Sequence, residues 1–368
     1  MVKSKKTQKA GNNVNQYQIE TINVNVTPED VRDMIKRENE LLLANSRIVA
    51  LETAQKRLDN YTDVLIPKLV KAEVLSAFNE PEIQMLYKKT EGTAICTERK
   101  ADYEMLSELL IHKINKKEDY LVSASIEKAI SEVNNISVDA LMTLTLIFSI
   151  VTYIPASGKT KAGLKALDDL YAHLLEYFEL PDDNDWKDNL EIVNAIKTFN
   201  IGNSKKLDDY FYERFEGYSS MGLKIGSEQY NEAIKKILSV NLPQNILVKN
   251  DIDDEYVRIE ILHKSNIDDL SLTININGVS YTKPLTEEQK SVLKEIYDNY
   301  EVKSNDTKEK FVSILNEFDN IKKIIEWWNK NIVNYSFEIT PIGKVLACTN
   351  AVRIDSSLPN IIMKNKSK

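Results

Sequence analysis

At 368 residues the chain has core volume enough for two or three domains, and its 42% hydrophobic and 28% charged content is that of a soluble globular protein. A net charge of −8 excludes a nucleic-acid-binding coat over the whole chain. Cys96 and Cys348 stand far apart, which excludes a disulfide framework and fits free buried thiols in a reducing compartment.

Lys3, Lys5, Lys6 and Lys9 have no apolar run behind them, so 1–10 reads as a disordered basic tail and not a secretory signal. In 11–27, Val14, Tyr17, Ile19, Ile22, Val24 and Val26 are interleaved with Asn and Gln. A strand this short has too little apolar surface to stand alone, whereas Asn and Gln ladders form when identical strands pair between chains. The segment is therefore expected to be an oligomerisation strand; the alternative is pairing within its own chain.

Thr27 followed by Pro28, with Asp30 three residues on, marks a helix start, and 28–79 reads as one long helix without glycine. Its apolar residues return at three- and four-residue intervals, and Pro67 is expected to kink or restart it. A periodic run well beyond 25 residues suggests a coiled coil or a helix packed between subunits. The other reading is a helix folded back on its own domain.

Phe78-Asn79-Glu80-Pro81 breaks the pattern, and a helical core domain is expected over 80–240. The run 140–158 has an apolar heart of about fifteen residues, short of the roughly 20 that a spanning helix needs. It predicts a buried core helix and no membrane span. Further helices are expected at about 161–180, 186–200, 205–216 and 227–239.

From 241 the texture turns to short β-rich runs, and an α+β domain is expected over 241–355, followed by a tail at 356–368. Asn277-Gly278 between SLTINI and VSYTKPL predicts a two-residue hairpin, and Thr286 caps a helix. A strand at 335–339 running into Thr340-Pro341-Ile342-Gly343 resembles the wing region of winged-helix domains.

The candidate chemistry is sparse. Ser157-Gly158-Lys159-Thr160 ends like a phosphate loop, but Tyr153 stands where the first glycine is required and an apolar helical run precedes it. The expected reading is a mobile, basic inter-helix loop with Lys159, Lys161 and Lys165 exposed. Asp182, Asp183, Asp185 and Asp188 lack the Gly and Glu register of a calcium loop and read as acidic helix capping. His112, His173 and His263 have no His or Cys at ligand spacing, and no nucleophile motif accompanies them. No catalytic residue, cofactor or metal site is therefore expected. Trp327 and Trp328 are candidates for an aromatic contact with a partner or a nucleobase, with Lys344 beside them in the wing-like segment; the alternative is that the tryptophans close a small core. Residues 251–340 carry 18 acidic against 11 basic side chains, the wrong sign for phosphate, so nucleic acid is not the expected partner.

The segments at 11–18, 27–31, 78–81, 141–154 and 339–344 together resemble an uncharacterised family of bacterial cytosolic proteins. That family has an N-terminal Gly-Asn-Asn…Gln-x-Gln strand, a Thr-x-Glu-Asp-Val helix start and a closing Thr-Pro-x-Gly-Lys segment. The family also has a Phe-x-(Asn/Asp)-Pro break, matched here by Phe78–Pro81 with Glu80 inserted before the proline. Similar Asn/Gln prefixes occur on phage-defence and conflict proteins, so the resemblance implies a link to antiviral defence and brings no catalytic residues. The expectation is a mainly α, cytoplasmic homo-oligomer with a small α+β C-terminal part, acting as a scaffold or sensor through an unknown protein partner. The competing readings are a nucleic-acid sensor using the wing-like segment and an enzyme whose site forms only in the oligomer.

Overall fold

The computed structural model describes residues 27–115, 119–199, 201–276, 279–301 and 304–362. The six residues expected to form the oligomerisation strand, Val14, Tyr17, Ile19, Ile22, Val24 and Val26, lie outside that range, as does the Asn277-Gly278 turn. The chain divides into two compact units, Met1–Lys56 and Arg57–Lys368.

Helix α1 (Pro28–Lys71) runs through the division between the units. Its start is a reciprocal capping box: the Asp30 amide donates to the Thr27 hydroxyl at 3.1 Å, and the Thr27 amide donates to the Asp30 carboxylate at 2.8 Å. The helix continues past Pro67 without the restart that is one of the two expectations there. Proline removes a single hydrogen bond there, and the surrounding turns are held by the buried side chains of Tyr61, Leu65 and Leu69.

The second unit continues with α2 (Pro81–Ala94), α3 (Lys100–Asn115), α4 (Tyr120–Glu132), α5 (Val138–Thr152), α6 (Thr160–Leu175), α7 (Asp185–Ile192), β1 (Ile196–Phe199) and α8 (Leu207–Arg214). Next come β2 (Leu223–Lys224), α9 (Glu228–Ser239), β3 (Leu247–Lys249), β4 (Tyr256–Ile259), β5 (Ser271–Ile276), β6 (Val279–Pro284) and α10 (Glu287–Asp298). The chain closes with α11 (Asn305–Leu315), α12 (Asp319–Asn331), β7 (Ser336–Ile339) and α13 (Pro341–Ile354). The architecture is mainly helical with a small α+β part, as the sequence predicts.

Helix α5 is the centre. Ser137 caps it by accepting from the Ala140 amide at 3.1 Å, and every residue from Ala140 to Ile150 is buried. Helix α13 packs along it and is itself buried from Val345 to Ala351. Between them the Asn350 amide donates to the Thr145 hydroxyl at 2.9 Å and accepts from Arg353 at 3.0 Å, so this buried amide is satisfied through both its nitrogen and its oxygen.

Two hydrophobic clusters fill the second unit. The larger joins the C-terminal end of α1 to α8 and then to α11–α13; the smaller holds Leu223, Ala233, Ile237, Val257, Ile259, Leu293 and Ile296. The smaller cluster covers about 223–300, and the last three helices return to the helical core because α13 is apolar on most of its surface and needs α4 and α5 to cover it.

The helix expected at 186–200 ends early. After Ile192 the backbone turns through Asn194 at φ 55°, and the Ala195 amide reaches back to the Leu190 carbonyl at 2.8 Å. Residues 196–199 then form β1, antiparallel to β7 with Ile196 opposite Ile339. That pairing makes 335–344 part of the helical core, joined to β1 and not to the β5–β6 hairpin, so the wing-like reading does not hold. The remaining sheets are β2–β4–β3 and the β5–β6 hairpin, whose register of Ile276 opposite Val279 leaves two residues for its turn.

Candidate functional site

Among the described residues, an exposed helix face and a cleft are the places from which a functional site is built. The first is the N-terminal part of α1, in the first unit. Met34 and Ile35, Leu41 and Leu42, and Ile48 and Val49 recur at intervals of seven residues, and all six are 53–67% exposed. A seven-residue period puts the three pairs on one side of the helix, with Glu38 and Asn45 between them. Leu43, equally apolar and 59% exposed, falls on the opposite side.

The second is a cleft in the second unit, where the larger and smaller clusters meet. It has a volume of about 880 Å³ and is bounded by the α5–α6 connection, the outer face of α6, the segment 260–270 and the segment 355–361 that follows α13. Ile154, Pro155, Leu167, Leu170, Leu262 and Leu358 make its walls apolar. His173 Nδ1 lies 3.8 Å from Asp355 Oδ2. Both the hydroxyl (2.6 Å) and the amide (2.9 Å) of Ser357 donate to Asp355, and chiefly these bonds hold its carboxyl below the usual carboxylate range. Tyr153, 6% exposed, also lines the cleft. Its hydroxyl has no hydrogen-bonded nitrogen or oxygen, and burial first, then the Cys348 thiol and the Asp355 carboxylate, push it up.

Beside this cleft the Ser157–Thr160 segment does work unlike a phosphate loop. Arg258, 2% exposed, donates through Nη2 to the Gly158 carbonyl at 2.8 Å and to the Thr160 hydroxyl at 2.7 Å. Its Nη1 donates to the carbonyls of Ile259 and Ile261. The Tyr218 hydroxyl donates to the Ser157 carbonyl. The expected mobile loop is therefore a packed joint. Lys159, Lys161 and Lys165 are exposed as expected, but each is paired with an acid: Glu260 at 4.0 Å, Glu317 at 3.3 Å, and Asp169. The Thr160 hydroxyl, which a nucleotide site would need for magnesium, is occupied by Arg258.

The aromatic candidates are also committed inward. Trp327 and Trp328 are buried, and their indole N–H groups donate to the carbonyls of Pro181 at 2.8 Å and Lys205 at 3.0 Å. They close the core and offer no platform to a base or partner. Lys344 is exposed on the first turn of α13, away from any tryptophan face open to solvent. Of the two thiols expected to be buried, Cys348 is and Cys96 is exposed; both are free. Among the described residues no three His, Cys, Asp or Glu side chains are grouped to hold a metal ion, and no helix is long and apolar enough to cross a membrane.

Sequence reading found neither the cleft nor Arg258. Tyr153, His173 and Asp355 come from three segments up to 202 residues apart, and no local pattern announces that all three line one cleft. Arg258 sits in a strand beside acids and reads as one more surface charge until its strand is placed against 157–160.

Comparison with known proteins finds a family model that matches residues 26–360. No curated protein and no solved structure matches the chain.

Proposed function

This chain belongs to a family of unknown function, and we propose that it is a homo-oligomeric scaffold or sensor that works by assembly and by holding a protein partner, not by catalysis. The observation that supports this reading is the exposed seven-residue repeat of apolar pairs on α1. A strict seven-residue period imposes a left-handed supercoil, and the helix that matches it best has the same period. A second copy supplies that by construction.

Charge permits the pairing. Residues 28–56 carry six acids (Glu29, Asp30, Asp33, Glu38, Glu40, Glu52) and five bases (Arg32, Lys36, Arg37, Arg47, Lys56), so two copies meet almost neutral. Covering the exposed part of each apolar side chain contributes on the order of 1–2 kcal/mol. Six from each of two copies stand against an association cost of roughly 4–15 kcal/mol. Asn45 between the pairs is the kind of polar seam residue that sets register. The preceding Asn/Gln strand with Val14, Tyr17, Ile19, Ile22, Val24 and Val26 extends the same assembly in this proposal, and its likeness to prefixes on phage-defence proteins makes bacterial antiviral defence the proposed setting.

Light scattering on the full chain tests the reading. The wild type is expected to be an oligomer at about 10 μM, Leu41→Asp with Leu42→Asp a folded monomer, and Leu43→Asp an oligomer still. The three leucines are alike in chemistry and exposure, so only the face differs. A monomeric wild type, or equal dissociation by Leu43→Asp, overturns the proposal.

A further inference from the structure

We propose that the cleft between α6, the 260–270 segment and the 355–361 segment binds a small amphiphilic cation, a molecule with an apolar body and an ammonium head. The inference is independent of assembly, since every residue it uses lies in the second unit.

Size and lining make the cleft a ligand site. A volume of about 880 Å³ falls within the roughly 300–1,000 Å³ typical of small-molecule pockets, and an apolar wall with few polar groups is their usual composition. The charge of the polar groups then selects the ligand. Asp169, Glu260, Asp269 and Asp355 line the cleft, and neither lysine nor arginine does. Asp169 and Glu260 are already paired with Lys165 and Lys159, so Asp269 and Asp355 are the carboxylates left to meet the head of a ligand, and both repel an anionic one.

One residue places the head. Asp355 has one carboxylate oxygen fixed by Ser357 and the other turned toward His173, in a side chain only 20% exposed, so its charge is oriented and partly shielded from water. An ammonium head that donates to the Asp355 carboxylate pairs with this oriented charge in a position partly shielded from water. The body of the ligand then covers Leu167, Leu170 and Leu358.

Calorimetric titration of the full chain with 4-phenylbutylammonium and with 4-phenylbutanoate tests this, because the two probes share a body and differ in the sign of the head. The ammonium is expected to bind one to one in the millimolar range or tighter, and the carboxylate at least tenfold more weakly. Ala166→Trp plugs the cleft from an exposed position on α6 without touching the core, and is expected to weaken the ammonium at least tenfold at an unchanged unfolding midpoint. Asp355→Asn is expected to bring the two probes to within threefold of each other. Equal binding of both probes to the wild type, no saturable binding up to 10 mM, or undiminished binding by Ala166→Trp overturns the proposal. The last result would assign the heat to diffuse attraction by a chain of net charge −8.

Discussion

Arg258 and Gly158 hold the two hydrophobic clusters together: the buried guanidinium donates to the glycine carbonyl at 2.8 Å, across 100 residues of sequence. Arg258 has no ion pair among the described residues. Its charge is spread over three carbonyls and the Thr160 hydroxyl, a fork geometry that arginine can supply and lysine cannot, and burial still pulls its pKa below the ordinary value. The approach is close enough that a side chain at 158 has no room: an added Cβ would sit 1.8 Å from the Glu260 carbonyl oxygen.

Gly158→Ala is therefore expected to destabilise the second unit by about 1–3 kcal/mol, since the clash is with backbone and not with the tip of a movable side chain. Gly92→Ala is the matched control. Gly92 lies inside α2 with nothing within 4 Å of a new Cβ, and alanine there is expected to stabilise by about 0.4–1 kcal/mol. Urea unfolding of both variants reads the signs, and a Gly158→Ala midpoint equal to wild type would show that the joint is looser than its geometry.

Helix termini offer a second test. Helices α1, α7 and α9 all end through a residue in the left-handed region, Glu73, Asn194 and Asn241, and in each the next amide bonds back to a carbonyl five residues earlier. Asparagine tolerates that conformation and glutamate does not, so Glu73 carries strain of about 1–2 kcal/mol. Glu73→Gly is expected to raise stability by about 0.5–1 kcal/mol after its unfolded-state entropy is counted, and Asn194→Ala to lower it by a similar amount. Thermal and urea denaturation together would show whether the two shifts are opposite in sign.

His112 makes stability depend on pH. It is buried, its Nε2 is paired with the Asn360 amide at 2.9 Å, and its Nδ1 has no partner. Burial lowers its pKa, which nearby Glu108 opposes and Lys68 reinforces. With the folded value below the unfolded one of about 6.5, the unfolded chain takes up the proton first as pH falls. Stability from the neutral imidazole is full above that value and is lost on descending from it toward the folded pKa. The difference in unfolding free energy between wild type and His112→Gln is expected to shift against the wild type between pH 7.5 and 5.5. A pH-independent difference would mean that the imidazole titrates alike in both states.

What could be read from the chain alone were features that complete themselves within a few residues. Thr27 and Thr286 cap their helices through amides three positions on. The β5–β6 pairing follows the Asn277-Gly278 signal between two β-rich runs, and the uncharged, mostly apolar run 140–150 marks the core helix. The sequence by itself also determined the seven-residue apolar pairs of α1, which no tertiary contact is needed to recognise. Only the tertiary structure decided the rest. Residues 196–199 become a strand because 336–339 are there to accept them, and the local helical pattern is ended by a left-handed Asn194 whose conformation is repaid by that pairing. Trp327 and Trp328 are buried because carbonyls at 181 and 205 meet their N–H groups. Arg258 is a core residue and Ser157–Thr160 a joint because each satisfies the other. A charge or polar group can be buried only where partners converge on it, and those partners are chosen by the fold, at separations that no local pattern encodes.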